Sequence, residues 1–349
     1  MDLRKIKLIN FKNFKNESCD IKDGFTLIVG ENGAGKTNLL ESINYLYTGE
    51  GFNKVFNDHI NYNEKYSLIS GIFEEGIRKI EKTIALQKIN DETTISRNIN
   101  TNKVKNKKVF KTHNTVLFEP YDLFIIDATP SVRRKFLDNI IISISDEYER
   151  LIYSYQKLLI NRNNLLKEEK INYTLLEVID DKMIEKIIDI ARYREKYIKI
   201  LNELANIHIK SIDETYNLQL SMKYSYDIEN IKRDFKNRLS EDIYKKHTNI
   251  GSHLDDININ FKNNSAKNFS SRGQKRAVII SLKLANVDIL KKLSELETVL
   301  LLDDLMYEFD IIKNKKIFEL ISKFRAFATS TVKHDADNII YIKDNKLDK

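Results

Sequence analysis

The sequence contains one cysteine, two prolines and no tryptophan in 349 residues. Because Cys19 stands alone, an intrachain disulfide and a zinc site of several thiolates are excluded, which suits a reducing compartment. No apolar run reaches the roughly 18 residues that a membrane-spanning helix needs. The first ten residues alternate charged and apolar side chains, unlike a signal peptide. We therefore expect a cytoplasmic protein without a membrane partner.

Composition and charge are those of a soluble globular protein with a basic bias. Hydrophobic residues make up 42% of the chain, charged residues 31%, and the net charge is +7. A basic balance favours nucleic acid as a partner. Lysine, asparagine and isoleucine are abundant throughout, however, so part of this charge follows from general composition. Charge alone does not identify a DNA-binding protein.

The pattern of apolar residues divides the chain into three segments, residues 1–118, 119–248 and 249–349. The first indicates short strands and one strong helix, and the last returns to alternating helix and strand. Between them, residues 131–218 contain neither proline nor glycine, and apolar residues recur there at helical spacing. This order predicts an α/β unit interrupted by a helical insertion.

One predicted helix of the insertion carries a polar residue in its apolar stripe. Leu151, Tyr155, Leu158 and Leu165 recur at steps typical of one helix face, and Arg162 falls at the same spacing. We expect the other four side chains to form the apolar stripe. Arg162 is interpreted as a structural residue.

A phosphate-loop pattern, G-x-x-x-x-G-K-[ST], directly follows a predicted buried strand and precedes an apolar helix that begins at Asn38. Its residues are Gly30, Glu31, Asn32, Gly33, Ala34, Gly35, Lys36 and Thr37. The glycines allow successive N–H groups to face phosphate oxygens, and the helix adds its positive end. We expect Lys36 to reach the β- and γ-phosphates of ATP and Thr37 to ligate Mg²⁺.

A second acidic motif follows the apolar run 299–302. Its carboxylates, Asp303 and Asp304, end a predicted buried strand. Asp303 is positioned to hold Mg²⁺ directly or through water, and Asp304 to polarise the attacking water as a catalytic base. A core strand that ends in a solvated turn is the alternative interpretation.

A third element, Ser271-Arg272-Gly273-Gln274, precedes a predicted helix and lies about 30 residues before Asp303. A serine, backbone N–H groups and a helix N-terminus form a second phosphate-binding element. Because the chain already has a complete phosphate loop, this second element suggests an interface between two copies. The order resembles that of ABC ATPases, in which the signature of one subunit closes over the γ-phosphate held by the other.

The finer pattern is similar to the RecF family over about residues 3–335. The matching segments are Ile6 to Phe14, Asn32 to Ile43, Phe118 to Leu123, Pro130 to Asp138, Tyr155 to Lys167, Gly251 to Asp256, Asp303 to Asp310 and Thr329 to Thr331. Several positions depart from the family pattern. Ser252 and Leu254 replace Pro and Arg, Asn53 replaces Arg, Tyr121 replaces an acidic residue, and Tyr307 and Phe309 replace Ser and Leu.

The resemblance implies an ABC-type P-loop ATPase head with an inserted helical lobe. Residues 1–118 and 249–349 would form the N- and C-terminal parts of the ATPase lobe, and residues 119–248 the helical lobe. It further implies an ATP-induced homodimer with catalytic roles for Lys36, Asp304 and Ser271, and nucleotide contacts from Gly273 and Gln274. Asp304 is shorter than the Glu common in the superfamily, so slow ATP hydrolysis is expected.

By the same resemblance, the protein acts in recombinational repair and replication and in the SOS response. It would bind duplex DNA, gaps or junctions between single and double strands. Proteins like RecR and RecO would be its partners, and it would help load the RecA recombinase. The alternative is another ABC-type ATPase subunit, in phage defence or transport, that does not act on DNA gaps.

Three further residues have two interpretations each. Arg133 and Arg134 either contact phosphate or cap and salt-bridge the helix that they begin. His253, near two aspartates, is interpreted as part of a hydrogen-bonded turn, with a metal ligand as the alternative, since no second histidine has ligand spacing.

Overall fold

The computed structural model describes residues 1–52, 56–90, 92–304 and 311–348. In chain order its strands are β1 (Asp2–Phe11), β2 (Phe14–Asp20), β3 (Phe25–Gly30), β4 (Tyr66–Glu75), β5 (Arg78–Ile89), β6 (Glu92–Ile99), β7 (Asn102–Lys103), β8 (His113–Phe118), β9 (Leu218–Lys223), β10 (Asp256–Phe261), β11 (Asn264–Ser265), β12 (Glu297–Leu302), β13 (Ala326–Ser330), β14 (Asn338–Lys343) and β15 (Lys346–Asp348). The helices are α1 (Lys36–Thr48), α2 (Lys107–Phe110), α3 (Phe124–Asp127), α4 (Pro130–Ile142), α5 (Asp146–Leu165), α6 (Tyr173–Ile212), α7 (Ile231–Lys245), α8 (Ala266–Phe269), α9 (Arg272–Leu293) and α10 (Ile311–Ile321).

The chain forms two compact units. The first comprises Met1–Pro120 with Glu295–Lys349, and the second is Tyr121–Ser294. Residues 249–294 therefore pack with the helical insertion, whereas the sequence analysis grouped them with the C-terminal ATPase part. The reason is that β10 pairs with β9 and that α9 packs along α6. The division into functional lobes stays a prediction.

A sheet in the first unit positions the ends of three strands together. Its strand order is β15-β14-β3-β13-β12-β8, and every neighbouring pair except β14 with β15 is parallel. The strands β3, β12 and β13 are almost entirely buried, as expected for a parallel sheet covered on both faces. Because parallel strands end at the same edge, the segments after β3 and β12 lie beside each other.

Helix α1 lies between this sheet and a second sheet of order β2-β1-β4-β5-β6-β7. Its Leu39, Leu40, Ile43 and Leu46 are fully buried in one core with side chains of both sheets. A helix that is buried on several faces has little freedom to move. Its first turn, which follows the phosphate loop, is therefore held by the core.

One lysine is buried in this core. Lys82 on β5 is fully buried, and its ammonium lies 4.2 Å from the ring centre of Phe110 and 5.0 Å from that of Phe73. It donates to the main-chain oxygen of Leu46 near the end of α1 and to the hydroxyl of Thr112. Burial lowers the pKa of Lys82 to about 7, because removing a charge from water favours the neutral amine.

The second unit is organised around the 40-residue helix α6, which contacts α4, α5, α7, α9 and β9. This helix lies within residues 131–218, where the helical spacing of apolar residues predicted helix. Asn202 and Asn206 on α6 bond the main chain of β9, and β9 pairs with β10 and β11 in a small antiparallel sheet. No helix of the described ranges has the length and apolarity that a membrane span requires.

Arg162 is a member of the buried stripe, contrary to the prediction that the apolar residues alone would form it. Its side chain is fully buried and donates to Asp180 on α6 at 2.6 Å and to Asp242 on α7 at 2.6 Å. It also donates to the hydroxyl of Thr248 at 2.9 Å. A guanidinium can enter a core when carboxylates and hydroxyls satisfy its donors. The structural role expected for Arg162 is thereby confirmed.

Arg194 forms a similar buried cluster. It donates to both carboxylate oxygens of Asp138, at 3.0 and 2.8 Å, and to Asp255 at 2.7 Å. The main-chain oxygen of Ser252 accepts a further hydrogen bond at 2.8 Å. These contacts join α4, α6 and the segment before β10, so the helices of the second unit are fixed to one another by charge pairs as well as by apolar packing.

Candidate nucleotide-binding site

The phosphate loop connects β3 to α1 by a turn that only glycine accommodates easily. Gly33 and Gly35 have φ angles of 82° and 103°, in the left-handed region. A Cβ at Gly35 would lie 2.2 Å from the side-chain nitrogen of Asn13. Gly35 is thus required both by the backbone angle and by the close approach of a neighbouring turn.

Lys36 begins α1 and its ammonium folds back over the loop. It donates to the main-chain oxygens of Gly30 and Glu31, both at 2.9 Å. Burial lowers its pKa, and the nearby carboxylates of Asp304 and Asp303 oppose that shift. The cation therefore lies beside carbonyls that position it but do not neutralise it.

Thr37 and the acidic motif form a connected network at the sheet edge. The hydroxyl of Thr37 donates to the carboxylate of Asp303, with distances of 2.8 and 3.0 Å to its two oxygens. Thr329, at the end of β13, donates to the same carboxylate at 2.8 Å and accepts from the main-chain N–H of Asp304 at 2.8 Å. The start of α1 and the ends of β12 and β13, which are distant in sequence, thus meet at one carboxylate.

These residues line a cleft of about 290 Å³ in the first unit. Its predicted members are Asn32, Gly33, Gly35, Lys36, Thr37, Asn38, Asp303 and Asp304, and Pro120 and Thr329 complete the lining. A hydroxyl and a carboxylate within 3 Å of each other provide the hard oxygen ligands that Mg²⁺ prefers. Backbone N–H groups, Lys36 and the start of α1 provide donors for phosphate. The side chains present therefore fit a nucleoside triphosphate with Mg²⁺.

The signature residues belong to the second unit, where they begin α9. Ser271 is the N-cap: its hydroxyl accepts from the N–H of Gln274 at 3.3 Å, and the Gln274 side chain accepts from the N–H of Ser271 at 2.9 Å. This capping box fixes the geometry of the turn. Ser271 is exposed and Gly273 is half-buried, so the hydroxyl hydrogen of Ser271 can still be donated to an anion.

Asn13 is a contact of the phosphate loop that the sequence analysis did not single out. Its side chain donates to the main-chain oxygen of Ala34 at 3.1 Å and to Asn345 at 2.7 Å, and it accepts from Asn38 at 2.6 Å. The neighbouring Lys12 has a φ of 50°, so the turn between β1 and β2 directs Asn13 at the loop. A short polar residue in a tight turn beside a core strand was the available signal.

Glu41 on α1 is a second residue of this region that was not predicted. Its carboxylate is almost fully buried, forms an ion pair with Lys12 and accepts from the N–H of Phe52 at 2.9 Å. His59 Nε2 lies 3.3 Å from the same carboxylate. Burial lowers the pKa of His59, and Glu41 opposes that shift. The cluster ties α1 to the segment that follows it.

The structure shows the partners of His253 and Arg133, for which the sequence left two interpretations each. His253 hydrogen-bonds through Nδ1 to the hydroxyl of Tyr155 at 2.7 Å and through Nε2 to the main-chain oxygen of Thr248 at 3.1 Å, as expected for a hydrogen-bonded turn. Arg133 is bound by Asp256. The departures at Asn53, Tyr307 and Phe309 lie outside the described residues, as does the segment 305–310.

Comparison with known proteins agrees with this geometry. A family model described as an AAA domain matches residues 5–241. The DNA replication and repair protein RecF of Thermoanaerobacter sp. (strain X514) is 33% identical, with 98% of each chain covered. RecF of Clostridium novyi (strain NT) is 33% identical, covering 95% of this chain and 93% of the relative.

Solved structures give the same result. The recombination mediator protein RecF with ATP, in the RecFOR pathway, has a TM-score of 0.82 at 30% identity, covering 99% of this chain and 96% of that one. The Smc head domain from Pyrococcus furiosus has a TM-score of 0.59 at 18% identity, covering 99% and 94%, and shares the fold. The predicted P-loop ATPase head with an inserted helical lobe is thereby confirmed. With relatives of this similarity over almost the full length, the chain belongs to the RecF family.

Proposed function

We propose that the protein is an ATP-dependent DNA-binding protein of recombinational repair and replication. Two copies close on ATP and Mg²⁺, each nucleotide lying between the phosphate loop of one copy and Ser271 of the other. Closure brings basic side chains of both copies onto the duplex, and hydrolysis reopens the dimer. The solved RecF with ATP belongs to the RecFOR pathway, which supports partners of the RecR and RecO type.

One observation carries the nucleotide part of the proposal. The Thr37 hydroxyl and the Asp303 carboxylate lie 2.8 Å apart on one side of a cleft whose lining also includes Lys36. A triphosphate would draw the Lys36 ammonium from the carbonyls of Gly30 and Glu31 to its terminal oxygens, because an ionised acceptor binds it more strongly. Mg²⁺ would neutralise phosphate charge between Thr37 and Asp303.

Asp304 is the candidate base for hydrolysis. Its main-chain N–H is fixed by Thr329, and its φ of 51° turns the residue away from the line of β12. An aspartate reaches less far than a glutamate, so it polarises the attacking water less effectively in the same position. We therefore expect slow turnover, with ATP serving as a timer for DNA binding.

Ser271 supplies the shared part of the site. Because its hydroxyl already accepts the Gln274 N–H, the remaining hydroxyl hydrogen and the first turn of α9 are oriented for the γ-phosphate of a second copy. The proposal therefore predicts that Ser271 acts in closing the dimer and not in holding ATP on the single chain.

The test is sedimentation of the full chain with and without ATP and Mg²⁺, followed by ATPase rate and duplex binding. The wild-type protein should dimerise with ATP, bind duplex DNA more tightly as a dimer and hydrolyse faster with DNA. Ser271→Ala should keep nucleotide affinity and lose dimerisation. Ser270→Ala is the matched control, since it removes a hydroxyl from the neighbouring position.

Two results would contradict the proposal. Normal ATP-driven dimerisation of Ser271→Ala would contradict a nucleotide site shared between two copies. Absence of a DNA response in the wild-type protein at low salt would remove the DNA-binding role and favour another ABC-type ATPase function, in phage defence or transport.

A further inference from the structure

We propose that Arg134 and Lys135, on helix α4 of the second unit, bind backbone phosphates of duplex DNA. The site is a cleft between α4 and α5 that also includes Ser131, Asn139 and Gln156. This inference rests on the proposed DNA-binding function and assigns it a surface. It follows from a difference between two neighbouring arginines.

Arg133 is committed to the fold. It donates to both carboxylate oxygens of Asp256, at 2.7 and 3.0 Å, and to the main-chain oxygen of Ala128 at 2.8 Å. A bidentate pair with a carboxylate neutralises the guanidinium and fixes its plane. Arg133 is also buried, so it caps and bridges the start of α4, with its guanidinium already paired.

Arg134 is held by a main-chain oxygen, with carboxylates nearby but none of the described ones in direct contact. Its Nη1 donates to the main-chain oxygen of Asp255 at 2.6 Å, and within the ranges that the structure describes it forms no salt bridge. The guanidinium is half-buried, and its other donors remain available. Burial, together with the neighbouring Arg194, lowers the pKa of Arg134. Asp255, Asp138 and Asp256 oppose that shift in part, and an anion in the cleft would oppose it further.

The cleft has a volume of about 390 Å³, and its lining combines polar side chains with the apolar Ile142, Ile152 and Leu159. Lys135, Ser131, Asn139 and Gln156 are exposed there. The acidic residue of the lining, Asp138, already accepts hydrogen bonds from Arg194 and from the hydroxyl of Tyr148 at 2.6 Å. Its charge is therefore satisfied, and the exposed polar side chains of the lining are one cation and three neutral groups that can donate.

The start of α4 adds to the positive electrostatic potential beside the cleft. Its N-cap residue, Thr129, makes no side-chain cap hydrogen bond, and its first turn contains no acidic residue. The positive end of the helix is therefore not compensated by a side chain. From Ser131 to Asn139 the helix rises about 12 Å, a length over which each strand of duplex DNA carries roughly three to four phosphates. A row of donors of this length fits a repeating phosphate backbone better than a single carboxylate.

The experiment measures binding of a fluorescent blunt duplex to the full-length protein with ATP and Mg²⁺ at several salt concentrations. The variants are Lys135→Ala, Arg134→Ala and the double variant. Each single variant should weaken binding about 3- to 10-fold at 0.1 M salt, and each lost phosphate contact should reduce the slope of log K against log salt by about 0.9. Arg192→Ala is the matched control, because Arg192 is exposed on the same unit and pairs with Asp189 at 3.1 Å. It should change affinity less than 2-fold.

Lys135→Ala protects the test from misfolding, since the side chain is exposed. ATP-dependent dimerisation of each variant serves as the folding control. If the wild-type protein binds duplex and the double variant binds with the same affinity and salt slope, the phosphate site is wrong while the proposed function stands. If the double variant binds duplex normally but, unlike the wild-type protein, does not bind an aspartate-rich peptide, the cleft would be assigned to a protein partner. Failure of the wild-type protein to bind duplex would instead overturn the proposed function.

Discussion

In the first unit, Lys36 and Lys82 are buried against main-chain carbonyls, whereas in the second unit Arg162 and Arg194 are buried against carboxylates. Neither lysine forms a salt bridge with any part of the chain that the structure describes. Burial lowers the pKa of both lysines. A carbonyl orients a cation and leaves its charge uncompensated, whereas a carboxylate pair fixes the cation in the fold.

This difference separates cations that serve binding from cations that serve structure. Lys36 keeps its charge for an anionic ligand, and Arg134 of the second unit resembles it, since it too is held by a main-chain oxygen. Lys82 also donates to a main-chain oxygen, but it is fully buried and no ligand can reach it. Its burial therefore lowers the stability of the fold. Three variants test these assignments.

The largest effect is expected for Arg194→Leu. Removing the guanidinium leaves the carboxylates of Asp138 and Asp255 buried without their cation, which should lower the free energy of unfolding by about 3–5 kcal/mol. Urea unfolding monitored by circular dichroism measures the change. Arg192→Leu, at an exposed pair, is the control and should change it by less than about 1 kcal/mol. A small loss of unfolding free energy in Arg194→Leu would contradict the structural role assigned to the buried arginine–carboxylate pairs.

The next largest effect is expected for Lys36→Ala. Loss of the ammonium should weaken ATP binding at least about 100-fold, because hydrogen bonds between charged groups contribute about 1.5–3 kcal/mol each. The thermal stability of the free protein should change little. Isothermal titration calorimetry gives the affinity, with Lys82→Met as the control for loss of a buried lysine in the same unit. If Lys82→Met weakened binding as much, the two lysines would not differ in role.

The smallest effect is expected for Lys82→Met, and it depends on pH. The folded pKa of about 7 lies below the ordinary value of 10.5, so between these values the unfolded chain binds the proton and the folded chain does not. The stability of the wild-type protein should therefore rise with pH in this window, relative to Lys82→Met, by up to about 1.4 kcal/mol per unit.

Urea titrations of both proteins at pH 7, 8 and 9 check the sign. Groups that titrate alike in the two proteins cancel in the difference. Parallel pH profiles would show that the rings of Phe73 and Phe110 hold Lys82 charged.

The sequence was sufficient to predict the nucleotide cleft because its residues are adjacent in short motifs. The phosphate loop, the strand before Asp303 and the helix after Ser271 depend on local spacing and turn chemistry. The parallel sheet then places Thr37 beside Asp303 by the rule that such strands end at one edge.

Contacts between distant segments were not predictable in the same way. Asn13 reaches the phosphate loop through a turn, and Arg162 is buried because carboxylates 18 and 80 residues away arrive beside it. Spacing on one helix cannot reveal a partner on another. The same limit applies to residues 249–294, whose helix pattern gave no sign that α9 would pack along α6.

The burial of Arg162 also has a consequence for synthesis on the ribosome. Helix α5 emerges well before α7, yet its guanidinium needs Asp242 and Thr248 to leave water without penalty. Arg162 therefore cannot acquire all of its partners until about residue 248 has left the exit tunnel. The second unit should acquire resistance to protease late in translation and in one step.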